Sequence, residues 1–222
     1  MRTIVLVLPV LLGVGVCAAQ GAELGNDEQK ALYAIGVAVS QSLSGLALSE
    51  SELEIVKSGL SDGVLKRPLK VDPKALAPKV QQLVQARAAT VAEREKKDGV
   101  AFVTKAAAEP GARKTTSGAI VTMLKEGKGP SPAASDTVKV HYQGTLIDGT
   151  VFDSSIQRGQ PATFPLGNVI KCWTEGLQEI KVGGKARLVC PAGIAYGDRG
   201  SPPTIKPGAT LIFEVELLEI VK

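Results

Sequence analysis

The sequence predicts an α+β protein in which an all-helical N-terminal half precedes a C-terminal antiparallel sheet. From Asp27 to about Pro110, apolar residues recur at the helical spacing of three and four, and this segment contains only two aromatic residues. From Thr116 onward, apolar and polar residues alternate in several short stretches, which is typical of strands with one buried face. The change of pattern predicts two regions of different architecture.

Two helices are predicted first, over residues 27–43 and 48–65. Both segments place apolar residues on one face. Ser49 followed three residues later by Glu52 forms a capping-box pattern, which marks the start of the second helix.

A much longer helix is predicted from Pro73 to about Ala108. Asp72 can cap it, proline is well suited to the first helical position, and Gly99 is expected to weaken it. A helix of some 35 residues would be about 50 Å long. Three helices with narrow apolar faces make a thin core alone. They form either a self-contained hairpin or, as we prefer, an intertwined homodimer with the long helix as a stalk.

The C-terminal half is predicted to contain strands and one short helix. The alternating stretches are residues 117–127, 136–146, 184–192 and 209–221. Asp148-Gly149 predicts a tight turn after the second of these, followed by another strand. Residues 170–177 are the predicted helix.

The first 22 residues have the three-part pattern of a secretory signal peptide. Arg2 is followed by an apolar run from Ile4 to Val16 and then by small residues. This run is shorter than the roughly 20 residues that a transmembrane helix needs, and no later segment is apolar enough to span a membrane. Cys17 raises lipid anchoring as an alternative. We expect an exported protein, periplasmic, outer-membrane-associated or secreted.

Charge and motifs exclude several classes of function. The net charge of +4 comes from 26 basic and 22 acidic residues without a dense basic run, so nucleic-acid binding is not expected. His141 is the only histidine, which argues against a metal site. Nucleotide-binding, zinc and hydrolase motifs are absent from the sequence. No cofactor is predicted.

Six aromatic residues lie in the C-terminal half and come from several predicted strands, a helix and a loop. They are Tyr142, Phe152, Phe164, Trp173, Tyr196 and Phe213. Such residues either fill a core or line a pocket. The pattern alone does not separate these two interpretations.

Three segments closely resemble the FKBP family of peptidyl-prolyl cis-trans isomerases: VKVHYQGTLIDGTVFDSS, PATFPLGNVIKCWTEGLQEIKVGGKARLVCP and AYGDRGSPPTIKPGATLIFEVELLEI. Together they cover about 138–220. The resemblance implies an antiparallel half-barrel sheet of five or six strands, wrapped on a short helix. It also implies a small apolar pocket that holds a proline ring.

The resemblance implies the residues of this pocket. Trp173 would be its floor. Asp153, Tyr196 and Ile170 would act on the substrate: Ile170 through its backbone N–H, Tyr196 through its hydroxyl, and Asp153 at the pocket edge, where it either assists catalysis or merely stabilises a loop. The remaining substrate-binding residues would be Tyr142, Phe152, Val169, Ile205 and Phe213.

The helical half resembles the N-terminal domain of Mip-type FKBPs, which implies a homodimer. The predicted domains are therefore a signal peptide (1–22), a helical dimerisation domain (23–112) and an isomerase domain (113–222). Two departures from the family, Ala162 and Ser201, alter the pocket rim and bear on the affinity for macrolides of the FK506 and rapamycin class.

Cys172 and Cys190 also depart from the family, which commonly has glycine and a branched aliphatic residue there. The paired change suggests a disulfide between the helix and a strand. Two separate buried thiols are the alternative.

The expected function is isomerisation of X–Pro bonds in exported proteins, with unfolded or partly folded proline-containing chains as partners. Chaperone activity would come from the dimeric helical domain. One alternative is a non-catalytic module that clamps unfolded segments, and another is a surface adhesion or virulence protein.

Overall fold

The computed structural model describes residues 24–221, so the predicted signal peptide lies outside the described residues. The helices are α1 (Asp27–Gln41), α2 (Glu50–Val64), α3 (Pro73–Ala107) and α4 (Lys171–Gln178). The strands are β1 (Ala112–Lys114), β2 (Ile120–Lys125), β3 (Thr137–Leu146), β4 (Val151–Ser154), β5 (Ala162–Pro165), β6 (Lys185–Cys190) and β7 (Leu211–Val221). The chain divides into two compact units, one ending at Val37 and the other beginning at Ala38.

The predicted helix starts of α2 and α3 are confirmed. Ser49 caps α2, accepting a hydrogen bond from the Glu52 N–H, while the Glu52 carboxylate accepts one from the Ser49 N–H. Asp72 caps α3 by accepting a bond from the Lys74 N–H. These side chains satisfy N–H groups that have no partner within the helix. α3 continues through Gly99 without interruption.

All strands pair antiparallel in one sheet with the order β1-β2-β6-β7-β3-β4, and β5 also pairs with β3. β3 alternates between half-buried and buried residues along its whole length, as its sequence pattern predicts. The sheet has seven strands, so the expectation of five or six is wrong; the sequence pattern predicts neither β1 nor β5, which have three and four residues. Strands this short offer too few positions for an alternating pattern to be recognised.

The concave face of the sheet packs on α4 and forms the main core. Cys172, Trp173 and Leu177 of α4 are buried among side chains of β3, β6 and β7. Gly176 allows this close packing, because a Cβ there would lie 3.0 Å from the methyl groups of Leu188. The α+β half-barrel on a short helix is therefore confirmed.

The other face of the sheet packs on the C-terminal part of α3. Ala106 is buried there with Ile120 and Val189, and Phe102 and Val103 extend the contact. In residues 24–221, none of the helices combines the length and apolar character needed to cross a membrane.

Candidate active site

Trp173 lies at the centre of an aromatic cluster in the first turn of α4. Its ring centroid is 5.1 Å from that of Tyr142, 5.2 Å from that of Phe213 and 5.6 Å from that of Phe164, with every pair edge-to-face. Phe152 joins through Phe213 at 5.5 Å. Edge-to-face pairs at these distances are favourable, so each ring fixes the orientation of its neighbours.

The start of α4 fixes where the indole lies. The Ile170 carbonyl accepts hydrogen bonds from the N–H groups of Trp173 and Thr174, at 2.8 and 3.1 Å. The Thr174 hydroxyl donates to the Leu166 carbonyl at 2.7 Å, which ties the helix to the segment before it. Trp173 is consequently held at the edge of the core with only 4% of its surface exposed.

These aromatic rings border a cavity of about 340 Å³. The volume falls within the range of about 300–1,000 Å³ that is usual for ligand pockets. The lining residues are Tyr142, Phe152, Asp153, Phe164, Asn168, Val169, Ile170, Trp173, Tyr196 and Phe213. The cavity is thus mainly apolar, with few polar groups at its edge.

The polar edge of the cavity is built on Asp153. Its carboxylate accepts hydrogen bonds from the Tyr142 hydroxyl and the Arg158 guanidinium. Arg158 also donates to the Tyr142 oxygen at 3.0 Å and lies 5.6 Å from the centre of that ring. The three side chains therefore orient one another.

This arrangement keeps Asp153 ionised. Partial burial by itself would raise the pKa of Asp153, but the hydrogen bonds from Tyr142 and Arg158 outweigh it and place that pKa below its usual value. Burial raises the pKa of Tyr142, and the hydrogen bond to the Asp153 carboxylate raises it further. At neutral pH the edge consists of a carboxylate, a guanidinium and a neutral phenol.

Two further polar groups border the cavity, the backbone N–H of Ile170 and the side chain of Tyr196. Within residues 24–221, no protein group accepts a hydrogen bond from the Ile170 N–H. Tyr196 lines the cavity and is 42% exposed. Both groups are thus available to an extended ligand. The indole Nε1 of Trp173 is buried and has no hydrogen-bond partner within the same range.

Behind the cavity, Ser155 supports Tyr142. The buried Ser155 hydroxyl oxygen accepts a hydrogen bond from the Tyr142 N–H at 2.8 Å and lies 3.1 Å from Nδ1 of His141. The alternation of β3 places His141 on the outer face, half-buried. In the described part of the chain, no three His, Cys, Asp or Glu side chains form a group that could hold a metal ion.

Comparison with known proteins decides the family. A family model described as FKBP-type peptidyl-prolyl cis-trans isomerase matches residues 129–218, and the model of the domain amino terminal to it matches residues 28–120. The FKBP-type 22 kDa peptidyl-prolyl cis-trans isomerase of Escherichia coli is 39% identical over 87% of this chain and 96% of its own length. The chain belongs to the FKBP-type peptidyl-prolyl cis-trans isomerases.

Two further relatives cover nearly the whole chain. The peptidyl-prolyl cis-trans isomerase Mip of Coxiella burnetii is 34% identical over 98% of both chains. The crystal structure of FkpA from Escherichia coli is 37% identical, covers 89% of this chain and 98% of its own, and superposes with a TM-score of 0.65. The resemblance to Mip-like FKBPs is confirmed, and the chain is an isomerase that catalyses rotation of X–Pro bonds.

Most of the pocket residues predicted for this FKBP-type isomerase lie together at the cavity. Ile205 does not line it: this residue is buried in the core, and its backbone N–H and carbonyl pair with Ser201. Phe164 and Asn168 line the cavity but were not predicted as site residues. Phe164 reaches Trp173 because β5 pairs with β3, placing Phe164 opposite Val138, and no local pattern signals that pairing.

In this FKBP-type chain, a disulfide joins Cys172 of α4 to Cys190 at the end of β6. Their Cα atoms are 5.6 Å apart, and both residues are fully buried. The bond connects the helix that carries Trp173 directly to the central strands of the sheet. The two cysteines are 18 residues apart in the sequence.

Proposed function

We propose that the cavity around Trp173 is the site at which this isomerase rotates X–Pro bonds. The observation that carries the proposal is the apolar floor of edge-to-face rings beside a small polar edge. A proline ring would pack on the indole, with the carbon and nitrogen of the X–Pro amide, rather than its carbonyl oxygen, nearest the Asp153 carboxylate.

The chemistry needs no nucleophile or metal. An X–Pro amide rotates slowly because twisting it destroys resonance, with a barrier of about 18–20 kcal/mol for peptide bonds in general. The twisted transition state has less charge separation than the planar amide, so an apolar surrounding disfavours it less than it disfavours the ground state. A pocket that desolvates the amide and holds the ring therefore binds the transition state preferentially.

The polar groups orient the substrate in this proposal. The free N–H of Ile170 donates to the substrate carbonyl beyond the proline, and the Tyr196 hydroxyl binds the substrate backbone. Asp153 is fixed by Tyr142 and Arg158. Its negative charge lies beside the carbonyl carbon and the nitrogen of the X–Pro amide, which lose their resonance as the bond twists. Val169, Phe152 and Phe213 complete the apolar walls.

Residues 23–112 and 113–222 are proposed as the helical and isomerase domains, and the helical domain as the site of homodimerisation. On α1, Leu32 and Ile35 are 62% and 61% exposed, and on α2, Ile55 and Val64 are 73% and 70% exposed. In a surface helix, apolar residues like these normally face a core that covers them. A second copy of this chain would cover the exposed residues of each helix.

The dimerisation proposal is tested by sedimentation of the full chain. Ile55→Glu should shift it from dimer to monomer, because a charge at this exposed apolar position is incompatible with a dry interface. Lys57→Glu on the same helix is the control, since Lys57 is already charged and exposed. A monomeric parent protein would reject the proposal.

Exposed apolar residues of α3 that the dimer proposal does not use, Val80, Leu83 and Val84, favour chaperone activity as a second function of the helical region. Unfolded chains present apolar side chains that such surfaces can bind. Deletion of residues 23–112 distinguishes the two functions: isomerisation of a proline tetrapeptide should survive, and suppression of aggregation of a large unfolded protein should fall. Because the deletion also removes α3, KM is expected to rise; loss of kcat in a folded fragment, at saturating tetrapeptide, would place the active site elsewhere.

We also propose export to the periplasm or beyond, based on the signal-peptide pattern and the disulfide, since disulfides persist in oxidising compartments. Macrolides of the FK506 and rapamycin class are proposed as ligands of reduced affinity, because Ala162 does not line the cavity, whereas a larger aromatic side chain at this position of β5 would extend the wall that Phe164 begins. Ala162→Phe should then strengthen macrolide binding while leaving tetrapeptide turnover within about twofold.

A further inference from the structure

The segment that follows β6 forms one wall of the site and behaves as a closed unit. We define the Tyr196 loop as residues 196–210. The Gly208 N–H donates to the Gly197 carbonyl at 3.0 Å, which closes the loop directly beside Tyr196. Ser201 and Ile205 exchange two backbone hydrogen bonds within it, at 2.8 and 3.0 Å. A displacement of the Gly208 end is therefore transmitted to Tyr196.

α3 contacts both arms of the Tyr196 loop through ion pairs. The Lys96 ammonium lies 2.6 Å from the Asp198 carboxylate, near the beginning of the loop. The neighbouring Glu95 accepts from the Lys206 ammonium at 3.2 Å, near its end. Two consecutive helix residues of opposite charge thus face two loop residues of opposite charge.

The helix backbone also lies directly against the loop. A Cβ on Gly99 would be 2.2 Å from the Thr210 hydroxyl oxygen, and a Cβ on Gly208 would be 2.5 Å from the Ala92 carbonyl oxygen. Ala92 and Gly99 are buried and seven residues apart, which places them on the same side of the helix, two turns apart. Only small residues permit a contact this close.

A third contact reaches the tip of the loop. The Ser44 hydroxyl, in the 3₁₀ turn Ser44–Leu46, donates to the Pro203 carbonyl at 3.2 Å. The loop is consequently held at its two arms by α3 and at its tip by the turn between α1 and α2.

We propose that α3 is a positioning element of the isomerase site: it fixes the Tyr196 loop, and with it the Tyr196 hydroxyl, for substrate binding. The inference rests on the proposed role of Tyr196. Gly99, Glu95 and Lys96 are positioning residues that do not touch the substrate. The helical region thereby influences the affinity of a pocket to which it contributes no lining residue.

Packing contributes more to this positioning than charge does. The Lys96 and Asp198 side chains are 47% and 68% exposed, and exposed ion pairs contribute little because water screens them. Gly99 and Thr210 are both buried, and a Cβ on Gly99 would lie within 2.2 Å of the Thr210 hydroxyl oxygen. Gly99→Ala is therefore the informative substitution.

Gly99→Ala separates docking from helix stability. Alanine is the better helix former, so the change by itself stabilises α3. The added methyl group nevertheless collides with Thr210 and forces the helix and the loop apart. Gly59→Ala in α2 is the matched control, because a Cβ there meets nothing within 4 Å. Thr210→Ala in the Gly99→Ala background removes the colliding hydroxyl and should restore the docking.

The experiment measures hydrogen–deuterium exchange of residues 196–210 and steady-state kinetics on a proline tetrapeptide, using the full chain. For Gly99→Ala we expect faster exchange in the loop and a KM raised about three- to tenfold with kcat nearly unchanged, which corresponds to one weakened hydrogen bond. Gly59→Ala should match the parent protein, and Gly99→Ala/Thr210→Ala should return toward it.

A Tyr196→Phe variant separates failure of this inference from failure of the proposed site. If Tyr196→Phe raises KM but Gly99→Ala does not, α3 does not position the loop and the inference is overturned. If Tyr196→Phe leaves KM unchanged, the proposed role of the hydroxyl is wrong and the inference falls with it. An unchanged exchange rate in Gly99→Ala overturns the docking contact itself.

Discussion

Replacing Asp153 with asparagine tests whether the negative charge at the cavity edge assists catalysis. The carboxamide has nearly the same size, but it carries no charge and can no longer accept from both Tyr142 and Arg158 as the carboxylate does. The aromatic floor, which packs through Trp173 and Phe213, is untouched. A change in rate would then report on the charge and its hydrogen bonds.

The expected loss of kcat/KM follows from the strength of the Asp153–Arg158 hydrogen bond and from how far both side chains are exposed to water. Hydrogen bonds to charged groups contribute about 1.5–3 kcal/mol. The side chains of Asp153 and Arg158 are 42% and 47% exposed, so screening by water reduces this to the lower end of that range. About 1.4 kcal/mol corresponds to a factor of ten. We therefore expect kcat/KM to fall about tenfold for Asp153→Asn and at least about tenfold for Asp153→Ala.

The assay is cis–trans isomerisation of a proline tetrapeptide at neutral pH, with Tm and far-UV circular dichroism to establish that the variants fold. Asp98→Asn is the control, because Asp98 is an exposed residue of α3 that undergoes the same chemical change. If both Asp153 variants stay within about twofold of the parent protein, the carboxylate only stabilises the loop. If the alanine variant alone loses activity, the side-chain volume matters and the charge does not.

Three other predictions concern covalent and electrostatic stabilisation. Replacing Cys172 and Cys190 together by alanine should lower the free energy of unfolding, measured by urea denaturation, by about 3 kcal/mol. This is the stabilisation expected because the disulfide closes a loop of 18 residues and so lowers the entropy of the unfolded chain. A loss below about 1 kcal/mol would contradict this prediction. The hydrogen bond from Arg87 lowers the pKa of Glu52 to about 2. The stabilisation is complete above the usual pKa of 4.5 and is lost as the pH falls toward 2, so Glu52→Gln should flatten the decline of Tm in this window. Because the pKa of Asp153 is lowered, kcat/KM should show no protonation of this carboxylate between about pH 5 and 8; an inflection there that Asp153→Asn removes would be contrary to our reasoning.

Local patterns were sufficient for the long elements of this fold. The capping box at Ser49, the cap at Asp72 and the alternation along β3 are each complete within a few residues, so the sequence displays them directly. The fold of the C-terminal half and its activity were predicted from motifs shared with a known family. Composition and periodicity alone left the aromatic residues open between core and pocket.

The missed features depend on residues distant in sequence. Phe164 reaches the cavity only because β5 pairs with β3, and Asn168 carries no pattern of its own. The sequence indicates Gly99 only as a weak point of its helix, but this residue also lies against Thr210, more than a hundred residues further along the chain. A glycine that weakens a helix and a glycine that permits a close contact have the same sequence signature.

An isomerase that forms no covalent bond with its substrate depends on how firmly its pocket is held. Here the floor is carried by α4, which is fixed by the disulfide at Cys172, by the hydrogen bond from Thr174 to Leu166 and by close packing of Gly176 on Leu188. Preferential binding of a twisted amide requires that the walls do not relax around the planar one. Weakening any of these three attachments should therefore reduce kcat, because the ground state would gain as much from a softened pocket as the transition state.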